Sequence, residues 1–326
     1  MNDSIQTADR GEMKTGEHPW LDIPSARQWL SVEPIRKGWS DDRKYRVITA
    51  GGETLLLRLS DGSKEAAKRR EFAVMRRAAE TGIAMSHPLE CGLCGGGAWV
   101  YILLTWMEGE DAERVLPGLG RKEQWDFGVQ AGRMLAALHT VSVAEDFPAA
   151  LPDWREEQAA KRCWWRERYE ACGVRVPHDR EMSAFLDERE PALSGVERVF
   201  CHGDYHVGNL VISLEGRLAV IDFNRWKYAD PYRDFNRMAF FSREVSVPFA
   251  CGQIAGYFGP SGPPPGFFDR MAYYVAHDAL YGIVWSLSFG EEEVRGCLRR
   301  AAMVFDDYDG FSAVIPRWYR DYRPLL

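Results

Sequence analysis

The chain has 326 residues, 46% of them hydrophobic and 27% charged. That is apolar material for a sizeable core, which excludes a wholly disordered chain, and more length than one core ordinarily serves, which favours two lobes. Acidic residues outnumber basic ones 48 to 41, a net charge of −7; a general nucleic-acid binder would carry the opposite balance, whereas a cationic small molecule would be attracted. Seven scattered cysteines suit a reducing cytoplasm better than a disulfide framework. Met1 to Gly16 holds no apolar leader, and the longest strongly apolar run, Ala98 to Met107, is about half of a membrane span. A cytoplasmic protein with no membrane segment is expected.

Residues 1–24 read as a polar tail, 25–108 as one lobe and 109–326 as a second. Ile35 to Leu59 is strand material, with Tyr45 to Thr49 and Thr54 to Leu59 as arms of a hairpin turning at Gly51-Gly52. Ser63 to Thr81 is a basic, alanine-rich helix stopped by Gly82. Trp99 to Thr105 is a strand entered from the Gly95-Gly96-Gly97 turn. Arg121 to Val141 is helical, and Gly128 and Gly132 lie four apart on its apolar side, a spacing for close helix packing. Further helices are expected over Glu156 to Cys172, Arg180 to Glu190, Phe235 to Arg243, Met271 to Leu287 and Glu291 to Phe305. Short strands and a loop fill Val199 to Phe223, and Pro260 to Pro265 is a surface loop. The fold class is α+β: a small antiparallel-sheet N-terminal lobe and a larger, mainly helical C-terminal lobe.

The chemistry concentrates between His202-Gly203-Asp204 and Asp222-Phe223. Asp204 and Asn209, four residues between them, match the kinase catalytic-loop pattern, in which the Asp takes the acceptor hydroxyl's proton and the Asn holds a metal. Leu210 to Ser213 and Leu218 to Ile221 flank Glu215-Gly216. A two-residue turn there sets Asn209 opposite Asp222, with Cβ atoms about 5 Å apart. Both are hard oxygen ligands, able together to hold one Mg²⁺ on nucleotide phosphates. An isolated Asp-x₄-Asn arises by chance; the whole set of His-Gly-Asp, Asn, hairpin and Ile-Asp-Phe carries the reading.

A kinase also needs a strand cation near the phosphates and a Glu on the next helix to hold it. Arg58 alternates away from Leu57, and Glu71 falls in the stripe Ala67, Glu71, Val74, Met75, Ala78. An inward carboxylate needs a partner, and Arg58 is the natural one. Lys68-Arg69-Arg70 reads as the solvated helix face. Asp278, an acid in an apolar helix, is either a buried hydrogen-bonded group or a substrate contact. Asp306, Asp307 and Asp309 form an acidic cluster able to attract amines. Cys91-x-x-Cys94 reads as part of a glycine-rich turn, and His139 as a core or loop-bracing histidine.

These marks, with Leu103-Leu104-Thr105-Trp106, Ala137-Leu138-His139 and Asp230-Pro231 with Asp234, resemble the aminoglycoside phosphotransferase family, the antibiotic kinases of the protein-kinase-like fold. The likeness runs from near Glu33 to the C-terminus. It implies that 25–108 binds nucleotide and 109–326 is the catalytic and acceptor-binding lobe. It implies transfer of the γ-phosphoryl of ATP or GTP to a hydroxyl of an aminoglycoside-like, cationic acceptor. Asp204 would orient the hydroxyl, Asn209 and Asp222 would hold Mg²⁺, and Arg58 braced by Glu71 would steady the phosphates. Ser40, in Gly38-Trp39-Ser40, would contact the phosphates, and the backbone at Thr105, Trp106 and Met107 would meet the base. Asp278, Asp306 and Asp307 are the acceptor-side candidates, and Asp234 caps or braces a loop. One departure is Arg58 itself, where many kinases have Lys. Two alternatives stand beside this: a metabolic kinase for choline, a sugar, an amino alcohol or homoserine, and a nucleotide-binding pseudokinase, against which the intact Asp204, Asn209 and Asp222 argue.

Overall fold

The computed structural model describes residues 18–36, 42–142 and 152–322. The chain forms two compact units, one from the segment up to Arg76 with Ser86–Trp106, the other from Arg77–Met85 and from Met107 onward.

In the first unit, β1 (Trp29–Ile35), β2 (Arg43–Thr49), β3 (Thr54–Asp61), β4 (Pro88–Cys94) and β5 (Trp99–Thr105) form an antiparallel sheet in the order β1-β2-β3-β5-β4. Helix α1 (Glu65–Glu80) follows β3. Strand alternation sends Leu55, Leu57 and Leu59 into a core with Val47, Tyr101 and Leu103, while Arg58 and Ser60 are buried on the other face. Trp20 and Ile23 belong to that same core, and Asp22 accepts the N–H groups of Gly95 and Gly96 (2.9 and 3.2 Å). From His18 onward, therefore, the segment assigned to a tail through residue 24 is folded. The β2–β3 connection is a type I turn closed by a left-handed glycine: Gly52, at φ 83°, donates to the Thr49 carbonyl (2.9 Å), and Thr49 N–H bonds Glu53 O (2.9 Å). Cys91 and Cys94 lie within β4 rather than in a turn. Their Gly-containing segment has little strand propensity of its own and is held extended by β5.

The second unit contains β6 (Glu110–Asp111), α2 (Ala112–Val115), α3 (Arg121–Leu138), α4 (Trp154–Ala171), α5 (Asp179–Arg189), β7 (Val199–Cys201), β8 (Leu210–Ile212), β9 (Leu218–Val220) and β10 (Lys227–Ala229), followed by α6 (Arg243–Val245), α7 (Val247–Phe258), α8 (Phe267–Ser286), α9 (Glu291–Asp307) and α10 (Arg317–Arg320). Its strands make two small sheets, β6-β8-β9 and β10-β7. Helix α8 is buried along most of its length and packs against α4, α5 and α9.

Helices α3 and α7 meet backbone to backbone. A Cβ on Gly128 would lie 2.2 Å from the Phe249 carbonyl oxygen, and one on Gly132 would lie 2.1 Å from that of Gln253. From α7, Gly252 and Gly256 approach the Trp125 and Val129 carbonyls just as closely (2.4 and 2.2 Å). The sequence reading placed no helix over Val247–Phe258, because Pro248, Gly252 and Gly256 look like punctuation when they are the contact surface. The helix expected over Phe235 to Arg243 is irregular instead: a 3₁₀ turn, Pro231–Phe235, runs into a π turn, Met238–Ser242. Among the described residues no helix is long and apolar enough to cross a membrane.

Candidate active site

Strand β7 delivers the chain into His202-Gly203-Asp204, and Asp234 fixes that loop from beneath. Its carboxylate accepts the N–H groups of His202 and Gly203 (both 2.7 Å) and contacts His139 Nε2 (3.2 Å). Asp230 caps the 3₁₀ turn that presents Asp234, accepting the Tyr232 N–H (2.9 Å). Burial pushes the Asp234 pKa up, but His139 and the loop N–H groups outweigh it, so the net shift is downward. Gly203 has φ 82°, and a Cβ there would lie 2.1 Å from the Arg225 carbonyl oxygen, so only glycine fits the middle of the motif. His202 is fully buried. Its Nε2 bonds the Ile221 carbonyl (3.0 Å) and its Nδ1 accepts the Asp204 N–H (3.3 Å). One ring thus ties the segment carrying Asp204 to the residue before Asp222, in the tautomer protonated at Nε2.

The Asp204 carboxylate sits among donors. Asn209 Nδ2 donates to the Asp204 carbonyl (2.8 Å) and to Oδ2 (3.3 Å). Arg237 Nε lies 3.2 Å from Oδ1 and Arg225 Nε 3.8 Å from Oδ2. Burial would raise the pKa of Asp204; Arg237, His206 and Arg225 outweigh it and hold the carboxyl below its ordinary range. His206 is lowered too, but there burial is the cause, pushing the imidazole down to about 4; its Nδ1 accepts the Gly208 N–H (3.1 Å).

The hairpin after Asn209 differs from expectation by one residue. Leu210 pairs with Val220, Val211 with Ala219 and Ile212 with Leu218, so Asn209 faces Ile221, whose N–H it accepts (3.0 Å), and not Asp222. The cause is the turn. Gly216, at φ 71°, donates to Ser213 O (2.9 Å) and Ser213 N–H bonds Arg217 O (2.9 Å), which makes a three-residue loop instead of two. A one-residue slip would send Asp222 to the opposite face. The strand, however, ends at Val220, and Asp222 adopts the left-handed conformation (φ 65°, ψ 64°), uncommon for a residue with a Cβ. Its direction is set by that kink rather than by the ladder.

In the first unit, Arg58 Nη1 bonds Glu71 Oε1 (2.8 Å), the pair expected from strand and helix periodicity. The pair belongs to a larger group. Arg58 Nη2 also bonds Asp42 Oδ2 (2.5 Å), Lys68 Nζ reaches both Asp42 (2.8 Å) and Glu71 (2.9 Å), and Ser60 Oγ donates to Asp42 (2.5 Å). Lys68 is buried and Ala67 exposed, the reverse of the expected stripe. The lysine's stem covers apolar surface while its ammonium finds two carboxylates. Its position three residues before Glu71, on the same helix face, is the signal that could have placed it there. Burial raises the Asp42 pKa, but Arg58 and Lys68 lower it far more.

The other expected site residues fall as follows. Thr105 and Trp106 give their N–H groups to His87 O (2.9 Å) and Thr54 O (3.3 Å), and Met107 is half-buried. Ser40 lies outside the described residues. Asp278 is already engaged, by Arg233 Nη2 (3.3 Å), His277 Nδ1 (3.0 Å) and Asn236. Burial works against its charge, but Arg233 and His277 hold its pKa well below the usual range. The expected acidic cluster does not act as one: Asp306 is exposed, Asp307 is buried against Arg243 (2.6 Å), and Asp309 pairs with Arg317 (2.8 Å) and Arg320 (3.0 Å). The α9 helix ends at Asp307, which turns the three acids in different directions. Arg225 and Arg237, which touch Asp204, were not singled out from sequence; each sits in a segment whose irregular backbone has no periodicity to read.

An α+β chain with a buried Arg–Glu pair on strand and helix, and a His-Gly-Asp loop leading through Asn into a hairpin, has the make-up of a phosphotransferase of the protein-kinase-like fold. Residues 31–268 match the model of the phosphotransferase enzyme family, and the chain belongs to that family. It is similar in structure to an amicoumacin kinase in complex with AMP-PNP, Ca²⁺ and Ami (13% identity, 87% of this chain and 90% of that one, TM-score 0.61). It is similar too to a thermostable mutant of an aminoglycoside phosphotransferase with ADP and hygromycin B (18%, 85% and 94%, 0.59), and to a choline/ethanolamine kinase family protein from Mesorhizobium loti (16%, 93% and 97%, 0.63). No curated protein sequence matches the chain significantly.

Proposed function

We propose that this phosphotransferase moves the γ-phosphoryl group of ATP or GTP directly to a hydroxyl of a small molecule, with Asp204 as the residue that receives that hydroxyl. The observation that carries the reading is the Asp204 carboxylate, held ionised by Arg237 and Arg225 and fixed by the Asn209 amide. A carboxylate held below its ordinary range is a weak base. Its main work is to accept the hydroxyl's hydrogen bond, aim the oxygen in line with the phosphorus, and take the proton as the bond to phosphorus forms. Asn209 and Asp222 fit a magnesium ion. With its amide nitrogen turned to Asp204, Asn209 has its oxygen left for a cation, and Asp222 adds a second hard oxygen. When bound, the ion neutralises charge on the transferring phosphates. Arg58, braced by Glu71, is the cation for the phosphates, and the chain at Thr105 to Met107 is the segment for the base.

Proteins of this fold take acceptors as different as hygromycin B and, by its family name, choline or ethanolamine. An aminoglycoside-like acceptor, with Asp278, Asp306 or Asp307 as its carboxylates, is one reading, and a metabolic alcohol is the other. The test is a coupled nucleotide-consumption screen of aminoglycosides, other antibiotics and small metabolite alcohols with Mg²⁺, products being confirmed by ³¹P NMR. Acceptor-dependent turnover that disappears in Asp204→Asn supports the proposal. Nucleotide binding with no acceptor-dependent turnover would favour the pseudokinase.

A further inference from the structure

In the first unit, the group around Arg58 is laid out as an anion seat with a carboxylate already in it. Three donors from two elements converge on the side chain of Asp42. Arg58 Nη2 and Ser60 Oγ come from β3 (both 2.5 Å), and Lys68 Nζ comes from α1 (2.8 Å). Two cations and a hydroxyl around one acid are also the donors that phosphate oxygens take.

The two carboxylates of the group are not equivalent. Glu71 lies inside α1 and is buried; it holds Arg58 Nη1 (2.8 Å) and Lys68 Nζ (2.9 Å). Helical hydrogen bonding fixes its backbone. Asp42 belongs to no helix or strand: β2 begins at Arg43, and its pairing with β3 starts there, Arg43 against Leu59. Asp42 can therefore turn out of the group without undoing a strand pair. Both terminal nitrogens of Arg58 are committed, Nη1 to Glu71 and Nη2 to Asp42, so a phosphate reaches this guanidinium by displacing a carboxylate. Once Asp42 leaves, two cations face Glu71 alone, and an incoming phosphate restores the missing negative charge.

We infer that the nucleotide's phosphates take the place of the Asp42 carboxylate, with Arg58 Nη2, Lys68 Nζ and Ser60 Oγ as their ligands and Asp42 as an internal competitor for that seat. The inference rests on the reading of Arg58 as the phosphate cation. It adds to that reading two binding residues, Lys68 and Ser60, and one residue that opposes binding. The seat must open before a phosphate enters, so the apparent affinity is the intrinsic one reduced by the fraction of molecules with the seat open.

The test is calorimetric titration of ATP and of inorganic tripolyphosphate, with Mg²⁺, into wild type, Asp42→Asn, Lys68→Met and the double variant. Asp42→Asn should bind both ligands at least about ten-fold more tightly than wild type. The gain should shrink to about three-fold or less in the Lys68→Met background, where one of the cations that Asp42 occupies is gone. Without ligand, Asp42→Asn should unfold at lower denaturant than wild type, because two buried cations lose a partner. A weaker fold with tighter binding marks a displaced competitor, whereas loss of an anchor would weaken both. If Lys68→Met does not fold, Ser60→Ala takes its place in the comparison. Unchanged or weakened binding in Asp42→Asn, or a gain independent of Lys68, overturns the inference and leaves the kinase standing. Tighter tripolyphosphate binding by Asp42→Asn with no alcohol phosphorylated supports the seat and sinks the kinase reading instead. No binding of either ligand by any variant overturns both.

Discussion

Two groups of buried charge dominate the molecule, and they are built on opposite terms. In the first unit, Arg58 and Lys68 face Asp42 and Glu71, two cations for two carboxylates, each cation bonded to both acids. In the second, Arg237 and Arg225 converge on the one carboxylate of Asp204 (3.2 and 3.8 Å). A balanced group is complete, so breaking it exposes an uncompensated charge. An excess of cation around one acid keeps that acid ionised. The first resembles a scaffold that can lend a cation to phosphates; the second resembles a carboxylate held ready for a hydroxyl.

The comparison can be broken at several points. The largest effect is expected at Asp204, where cations converge on a single acid: Asp204→Asn should lower kcat by about 10²–10⁴-fold with nucleotide affinity nearly unchanged. A loss of only a few-fold, measured at saturating nucleotide, would remove Asp204 from the reaction. In the balanced group, Glu71→Ala should cost about 3–5 kcal/mol of stability, because it leaves Arg58 and Lys68 with one carboxylate between them; denaturant unfolding reads this directly.

The smallest expected effect is with pH. Burial, and then Arg233, pushes Lys161 down to about 8 and Lys227 down to about 7, against Asp278 and Glu157 for the first and Asp234 for the second, which favour the charge. Because the folded pKa values lie below the ordinary 10.5, the unfolded chain holds more protons between about pH 7 and 10.5, so the lysines' cost fades and stability rises with pH there. Denaturant unfolding at about pH 7 and about pH 9 reads this; equal stability at the two would mean that neither lysine titrates below its ordinary range.

Much of the site could be read from residue order, because periodicity encodes it. Alternation along β3 and the helical stripe of α1 brought Arg58 to Glu71, and the His-Gly-Asp run marked the loop that His202 and Asp234 fix. The misreadings share another physical origin. Both hairpins turn through a type I turn closed by a left-handed glycine, Gly52 and Gly216, and counting that loop as two residues shifted Asn209 by one position. Helix α7 went unseen because its glycines serve contact rather than breakage. Asp42, Arg225 and Arg237 meet their partners through loops, a π turn and tertiary packing, none of which leaves a period in the chain.

The most direct test of the central claim, that the His202 to Asp222 segment holds a metal-nucleotide complex for transfer, is a double-mutant cycle. Nucleotide binding by wild type, Asn209→Ala, Asp222→Ala and the double variant should be measured with and without Mg²⁺. Metal dependence in the wild type, loss of it in each single variant, and a coupling energy of about 0.5–3 kcal/mol are expected for two ligands of one ion. Additive effects, or binding indifferent to Mg²⁺ throughout, would contradict the account.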